Sequence, residues 1–388
     1  MSSKNHKLLQ ILLHINFFLS GITTVLIGQA LPILQEKFHL DDKQLAIFFP
    51  AQFVGSLSGT FLTNWFGKQN KFLLATIIGC FLMAGGIVMF SFNSYSLCIV
   101  GFFINGIGVG LTLPSINMLI LELNSHRTIS ALNILNLFWG IGAIICSVMV
   151  LNLANSIGLF GVNSILAFAL ILTTLIIIFT GKFDEKAHAE NRETFDDFSL
   201  PIWTTLMAWL IGIFNFIHVG FESGIGGWLP TYTVRFKEEN ASWWLFPTTF
   251  YFLFFVIGRG VVPFLAKFLD ETKLIFLGLF LLLIGLLILL YGETVTFLRI
   301  GAVIAGFGTS WVFPTNLSRF NKTFGKTASR RAMPFFILGT LGATSTNWLI
   351  GFISNQFENN LRIGMFVLLV SIILLILMQI VISLRKIK

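Results

Sequence analysis

The sequence predicts an all-α membrane protein of twelve transmembrane helices arranged as two pseudo-symmetric six-helix bundles. Three observations predict it. Hydrophobic residues make up 55% of the 388-residue chain and charged ones only 11%, with a mean hydropathy of +0.86, far from the balance of a soluble domain. Uncharged runs recur, each near the roughly 20 apolar residues that a helix needs to cross a hydrocarbon core. Two distant stretches also share one grammar: Gly106-Ile107-Gly108 followed by Pro114-Ser115, and Gly306-Phe307-Gly308 followed by Pro314-Thr315. Gly142-Ala143 and Gly342-Ala343 continue the match, so the halves read as copies of one unit.

The first half holds runs at 8–34, 44–66, 72–91, 95–121, 129–153 and 159–181, here helices 1 to 6. The second holds runs at 202–231, 242–265, 274–292, 296–318, 333–355 and 363–384, here helices 7 to 12. Helices are required because a backbone group left unpaired in hydrocarbon is expensive, and no alternating strand pattern is present. Run 1 follows Lys4, His6 and Lys7 in the manner of a signal peptide. Its apolar stretch is too long and lacks a small-residue cleavage site, so a retained helix is expected. Between helices 6 and 7, the polar stretch from Lys182 to Ser199 carries Asp184, Glu185, Glu190, Glu193, Asp196 and Asp197 and opens onto Pro201. It divides the chain into a bundle at 1–181, a cytoplasmic linker at 182–200 and a bundle at 201–388. The other links are too short for a soluble domain, so any chemistry must occur between helices.

Orientation follows from Lys and Arg. With both termini in the cytoplasm, that side collects Lys4, Lys7, Lys68, Lys71, Arg127, Lys267, Lys273 and the basic run from Arg319 to Arg331. The opposite side holds Lys37, Lys43, Arg235, Lys237, Arg299 and Arg362. The expected place is therefore the cell membrane, the inner membrane if the source is bacterial, with both ends inside. The net charge of +8 reports this topology and contact with anionic lipid, and no basic soluble face exists to bind nucleic acid. Cys80, Cys98 and Cys146 lie in separate runs without paired spacing or neighbouring ligands, so neither a disulfide framework nor a metal site is indicated. No Lys-Ser/Thr follows the Gly106–Gly110 run, which excludes a phosphate loop. No nucleophile and base stand at usable spacing. A non-enzyme without a cofactor is expected.

The link between helices 2 and 3 reads Asn64-Trp65-Phe66-Gly67-Lys68, then Lys71. It resembles the signature loop of the major facilitator superfamily, with Asn64 and Trp65 in place of the usual acid and Arg; Gly67 and the basic tail remain. Further resemblance lies in Gly110 to Asn117 of helix 4, in Ala131-Leu132-Asn133 and Phe138-Trp139-Gly140 of helix 5, in Val219 to Tyr232 of helix 7 and in Gly258-Arg259 of helix 8. Together these are similar to the branch of that superfamily containing fucose:proton symporters and sodium-dependent glucose transporters. The resemblance implies the superfamily's fold, rocking of two halves about a central cavity, and import of a sugar coupled to protons or sodium. Asn136 stands where related chains often carry His.

Ionisable residues in hydrocarbon are expensive and functional by default. Within the runs these are Glu222, Arg259 and Arg299. Asn215, His218 and Glu222 follow helical spacing that puts them on one face of helix 7. Two readings of Glu222 stand: with His218 it carries a coupling proton, or an ion pair with Arg299 makes it architectural. Arg259 is expected to be structural, facing Asp270 or nearby carbonyls. Asn16, Gln29, Asn117, Asn136, Asn215, Asn316 and Asn347 both donate and accept hydrogen bonds, which suits sugar hydroxyls, and Trp139 and Trp228 offer flat faces for a sugar ring. Bracing between helices is the other use of such amides.

The sequence therefore predicts a monomeric secondary transporter of a small polar solute, most simply a sugar moved with a proton or sodium ion by alternating access. An exporter of amphiphiles, with the many phenylalanines forming a greasy pocket, is the second reading. A non-transporting receptor or scaffold is the third.

Overall fold

The computed structural model describes residues 3–124, 128–180, 202–235, 246–324 and 332–386. Among them, twelve helices are long and apolar enough to cross a membrane: Lys7–Phe38, Asp42–Lys68, Phe72–Met89, Tyr95–Leu123, Ala131–Val150 and Asn152–Phe179, then Leu206–Val234, Pro247–Leu265, Glu271–Tyr291, Val295–Phe324, Met333–Gln356 and Leu361–Arg385. Every expected run is one of these helices. Helices 5 and 6 form one helical stretch, Thr128–Thr180, interrupted at Gly158 with φ +70° and ψ 165°. Side chains at that conformation are strained, which is why the break falls on glycine. Helix 10 runs further than its apolar run, to Phe324, and so takes in Arg319 and Lys322.

The chain forms two compact units, Met1–Ile33 with Ile47–Phe195, and Leu34–Ala46 with Asp196–Lys388. The linker expected at 182–200 lies outside the described residues, as do Arg127, Lys237 and the basic run at 325–331. Residues 34–46, expected within the first bundle, group instead with the second unit although they join helices 1 and 2.

Inside each unit the repeated glycines are packing contacts. A Cβ on Gly106 would stand 2.1 Å from the Gln52 carbonyl oxygen, and one on Gly306 would stand 2.3 Å from that of Tyr251. Helix 4 thereby lies directly on helix 2 in the first unit, and helix 10 on helix 8 in the second. Small residues that let backbones touch are the main device of helix association in lipid, where burial of apolar surface gives no drive. Gly142 and Gly342 repeat the device: their Cβ atoms would meet the carbonyls of Phe18 and Phe216 at 2.2 and 1.9 Å.

Prolines shape the helices by removing a backbone donor and leaving the carbonyl four residues earlier unpaired. Pro114 does this to Gly110 in helix 4, and the Thr63 hydroxyl of helix 2 donates to that carbonyl at 2.9 Å. The helix stays continuous from Tyr95 to Leu123. Helix 10 instead divides into Val295–Thr309 and Val312–Phe324, just before Pro314.

Candidate functional site in the second unit

Helix 7 starts on a Thr205 cap, whose hydroxyl accepts from the Ala208 amide, and carries His218 and Glu222 toward helices 8 and 10. Glu222 is half-buried, and its Oε2 is enclosed without a hydrogen-bond partner. Its backbone carbonyl accepts a bond from the Tyr251 hydroxyl of helix 8 at 3.4 Å. His218 is buried, with Nε2 3.3 Å from the Thr309 hydroxyl and Nδ1 enclosed and unpartnered. Thr309 is the last residue before helix 10 opens. Helices 7, 8 and 10 each contribute polar groups to one cluster.

Arg259 of helix 8 is a cation whose charge acts on Glu222. Side chains on a helix lean toward its N-terminus. Arg259 accordingly reaches back one turn, its guanidinium carbon 4.2 Å from the centre of the Phe255 ring, toward the level of Tyr251. Its Nε is enclosed without a partner. Asp270, the other candidate partner, lies beyond the C-terminal end of helix 8 and is otherwise engaged. It caps helix 9 by accepting from the Lys273 amide at 2.8 Å, and Lys273 Nζ stands 3.8 Å away. Arg299 is half-buried near the start of helix 10.

The remaining candidates of this unit brace helix 7. Asn215 donates to the Phe335 carbonyl at 2.9 Å, and Trp228 Nε1 to the Asn347 carbonyl at 3.2 Å. Asn347 donates to the Ser223 hydroxyl at 2.8 Å and to the Ala343 carbonyl at 2.8 Å. Asn316 donates to the Ile211 carbonyl at 3.2 Å and accepts from Arg319. The carbonyl oxygens of the Asn215 and Asn347 side chains stay enclosed and unpartnered.

Arg319 escaped the sequence reading, which left it in a cytoplasmic loop. It is only 2% exposed on helix 10, with Nη1 bonded to Gln379 Oε1 at 2.7 Å and the guanidinium 5.0 Å from the Phe214 ring. The missed signal was the amphipathic continuation Asn316-Leu317-Ser318-Arg319-Phe320, which extends the helix past its apolar run.

The first unit has a second, uncharged polar set. Gln29 is fully buried and neither end of its amide has a partner. Asn16 accepts from Thr173 at 2.7 Å while its Nδ2 is enclosed and unpartnered. Gln52 and Asn105, not among the sequence candidates, donate to the Thr24 and Thr23 carbonyls at 3.1 and 3.3 Å and leave their side-chain oxygens unpartnered. The signal that found Gln29, an amide inside an apolar run, applied to them equally. Asn117 and Asn136 bond carbonyls of their own helices, those of Leu113 and Leu132, at 2.8 and 2.9 Å, and Asn136 is exposed. Trp139 is half-buried against the apolar cluster built around Leu12, Phe17 and Leu135.

A sequence profile described as Major Facilitator Superfamily matches residues 13–336 of the chain. The chain is 25% identical to the glucose/mannose transporter GlcP of Bacillus subtilis (strain 168) over 366 residues, covering 90% of this chain and 89% of that one. Among solved structures it is similar to the E. coli fucose:proton symporter FucP, at a TM-score of 0.63 and 20% identity, with 96% of this chain and 98% of that chain covered. It is also similar to the nucleoside transporter NupG, at a TM-score of 0.78 and 14% identity, with 99% and 98% covered.

Proposed function

Because the chain belongs to the major facilitator superfamily of membrane transporters, we propose that it carries a sugar across the cell membrane together with a proton, and that Glu222 holds that proton. The observation that carries this reading is the cluster of Glu222, Arg259, His218, Tyr251 and Thr309 within one helical unit. A carboxyl that alternates between water and an enclosed setting exchanges a proton as its surroundings change, since enclosure disfavours an uncompensated charge. Arg259 sets the consequence. With Glu222 ionised the two charges balance; with Glu222 protonated the cluster gains one positive charge that the apolar surroundings oppose. Protonation therefore changes which arrangement of the helices is favoured, which is what coupling requires.

Two facts support a sugar as the passenger. The relative with 25% identity is a glucose/mannose transporter, and the buried amides of Gln29, Gln52, Asn105 and Asn347 present unpartnered donors or acceptors that match hydroxyl groups rather than ions. The charge distribution supports cytoplasmic termini, and the protein acts as a monomer within the lipid. Purified protein in liposomes tests the reading. Labelled glucose, mannose, fucose, a nucleoside and a dipeptide are offered under an inside-alkaline gradient without sodium. Accumulation of a hexose alone is the expected result. Accumulation only with sodium would replace the proton, and accumulation only of the nucleoside or dipeptide would overturn the sugar.

A further inference from the structure

Where helix 9 ends and helix 10 begins, the second unit carries a groove of about 550 Å³ walled by Leu287, Ile288, Tyr291 and Phe297, a volume within the roughly 300–1,000 Å³ of small-molecule sites. Tyr291 is the last residue of the spanning helix Glu271–Tyr291, the level where acyl chains give way to headgroups and where Trp and Tyr gather. Gly292 lets the wall form, because a Cβ there would meet Phe297 Cβ at 2.6 Å. The rim is charged. Glu293 lines the groove and is exposed. Arg362, in the first turn of helix 12, is also exposed and holds its guanidinium carbon 5.2 Å from the centre of the Tyr291 ring. Phe366, one turn further along, meets the same ring edge-on at 6.3 Å. Among the described residues, neither Glu293 nor Arg362 forms an ion pair. Packing does not require these charges. Glu293 stands in the turn before Thr294, whose hydroxyl caps helix 10, and the matching turn before Ser94, the cap of helix 4, reads Phe92-Asn93. Phe92 meets Phe160 of helix 6 at 6.0 Å, and none of residues 92–94 or 152–163 is charged. The first unit thus builds a similar aromatic corner with neither carboxylate nor guanidinium.

We infer that this groove binds a phospholipid whose headgroup carries a primary amine, of the phosphatidylethanolamine kind: Arg362 takes the phosphate, Glu293 the ammonium, and Leu287, Ile288 and Phe297 the start of an acyl chain. The inference rests on the chain spanning a membrane and stands apart from both the passenger and the proton. The acyl wall selects nothing by itself, since every phospholipid offers the same chain. Charge decides the headgroup. An unpaired guanidinium at the interface attracts a phosphate and matches its oxygens in a fork, and the Tyr291 ring beneath it holds it there by cation–π attraction. The carboxylate on the same rim opposes a lipid of net negative charge and favours one that brings its own cation. A primary ammonium donates charge-assisted hydrogen bonds to that carboxylate. A quaternary choline has no N–H to give.

Native mass spectrometry of the full chain, released from mixed micelles, compares retention of phosphatidylethanolamine, phosphatidylcholine and phosphatidylglycerol with identical acyl chains. Severalfold higher retention of the ethanolamine lipid than of either other is expected. Glu293→Gln should erase the preference over the choline lipid while leaving choline-lipid retention as it was, and Arg362→Gln should lower retention of both severalfold. Equal retention of the three lipids by the wild type, or a preference for phosphatidylglycerol, would overturn the inference. So would an ethanolamine preference that survives Glu293→Gln, or retention that Arg362→Gln leaves unchanged. Hydrogen exchange of the wild type in nanodiscs needs no variant. Replacing choline lipid by ethanolamine lipid should slow exchange at residues 291–297 severalfold and leave residues 92–97 unchanged; no slowing, or the same slowing at both turns, would refute the site.

Discussion

The two units place different chemistry at corresponding positions. The packing contacts align them: Gly142 on Phe18 matches Gly342 on Phe216, and Gly106 on Gln52 matches Gly306 on Tyr251. In that alignment Ser20 and Thr24 of helix 1 correspond to His218 and Glu222 of helix 7, Gln52 to Tyr251, Thr60 to Arg259 and Val109 to Thr309. One hydrogen bond survives in both units, the Gln52 amide donating to the Thr24 carbonyl and the Tyr251 hydroxyl to the Glu222 carbonyl. The scaffold is thus duplicated down to a single side-chain bond, while every ionisable group of the cluster belongs to the second copy. Symmetric packing supplies two units built with the same glycine contacts; the asymmetric charges supply something for a proton to act on.

The prolines teach the same lesson about helix continuity. Thr63, which satisfies the Gly110 carbonyl freed by Pro114, corresponds to Val262, which has no hydroxyl to offer opposite Pro314. Helix 4 is continuous and helix 10 opens after Thr309. The opening falls where Thr309 meets His218, so loss of one hydroxyl donor coincides with irregular backbone beside the charged cluster.

Substitutions at matched positions break or sharpen this comparison. The largest effect is expected at Arg259→Gln, which removes the charge facing Glu222 and should abolish most proton-driven hexose uptake in liposomes, whereas Thr60→Ala at the matched site leaves it near wild type. Gly106→Ala and Gly306→Ala each force a methyl against a carbonyl and should lower stability by about 1–3 kcal/mol, seen as similar falls in thermal unfolding temperature. Gly85→Ala, with nothing within 4 Å of its Cβ, is the control and should change stability by less than about 0.5 kcal/mol. The smallest effect is expected for Thr63→Val, which gives the first unit the second unit's chemistry. It removes a bond worth roughly 0.6 kcal/mol in a membrane and should raise hydrogen exchange around Pro114 toward that around Pro314. Equal exchange before and after the substitution would sever the hydroxyl from helix continuity.

Much of this was legible in the sequence. Spanning helices are set by local apolar runs, and the duplication by glycines and prolines whose roles are backbone roles, so both are readable one residue at a time. Glu222 and His218 were readable because polar groups in hydrocarbon are conspicuous. Their neighbours were not. Which cation acts on Glu222 depends on which way a long side chain leans along its helix, and Arg259 leans back over Phe255. Arg319 and Asp42 lay at helix ends, where hydropathy cannot separate a loop from a buried terminus. Asp42 in particular is defined by Arg235, Ser354 and Asn359, residues remote in sequence that no pattern connects.

The central claim is that the proton moves on Glu222 of the second copy. Its most direct measurement is the proton flux that accompanies hexose entry into liposomes, recorded with an enclosed pH dye for wild type, Thr24→Ala and Glu222→Gln. Hexose-dependent acidification of the lumen is expected for wild type and Thr24→Ala. Glu222→Gln should show none while still exchanging labelled for unlabelled hexose. Undiminished acidification in Glu222→Gln would contradict the account.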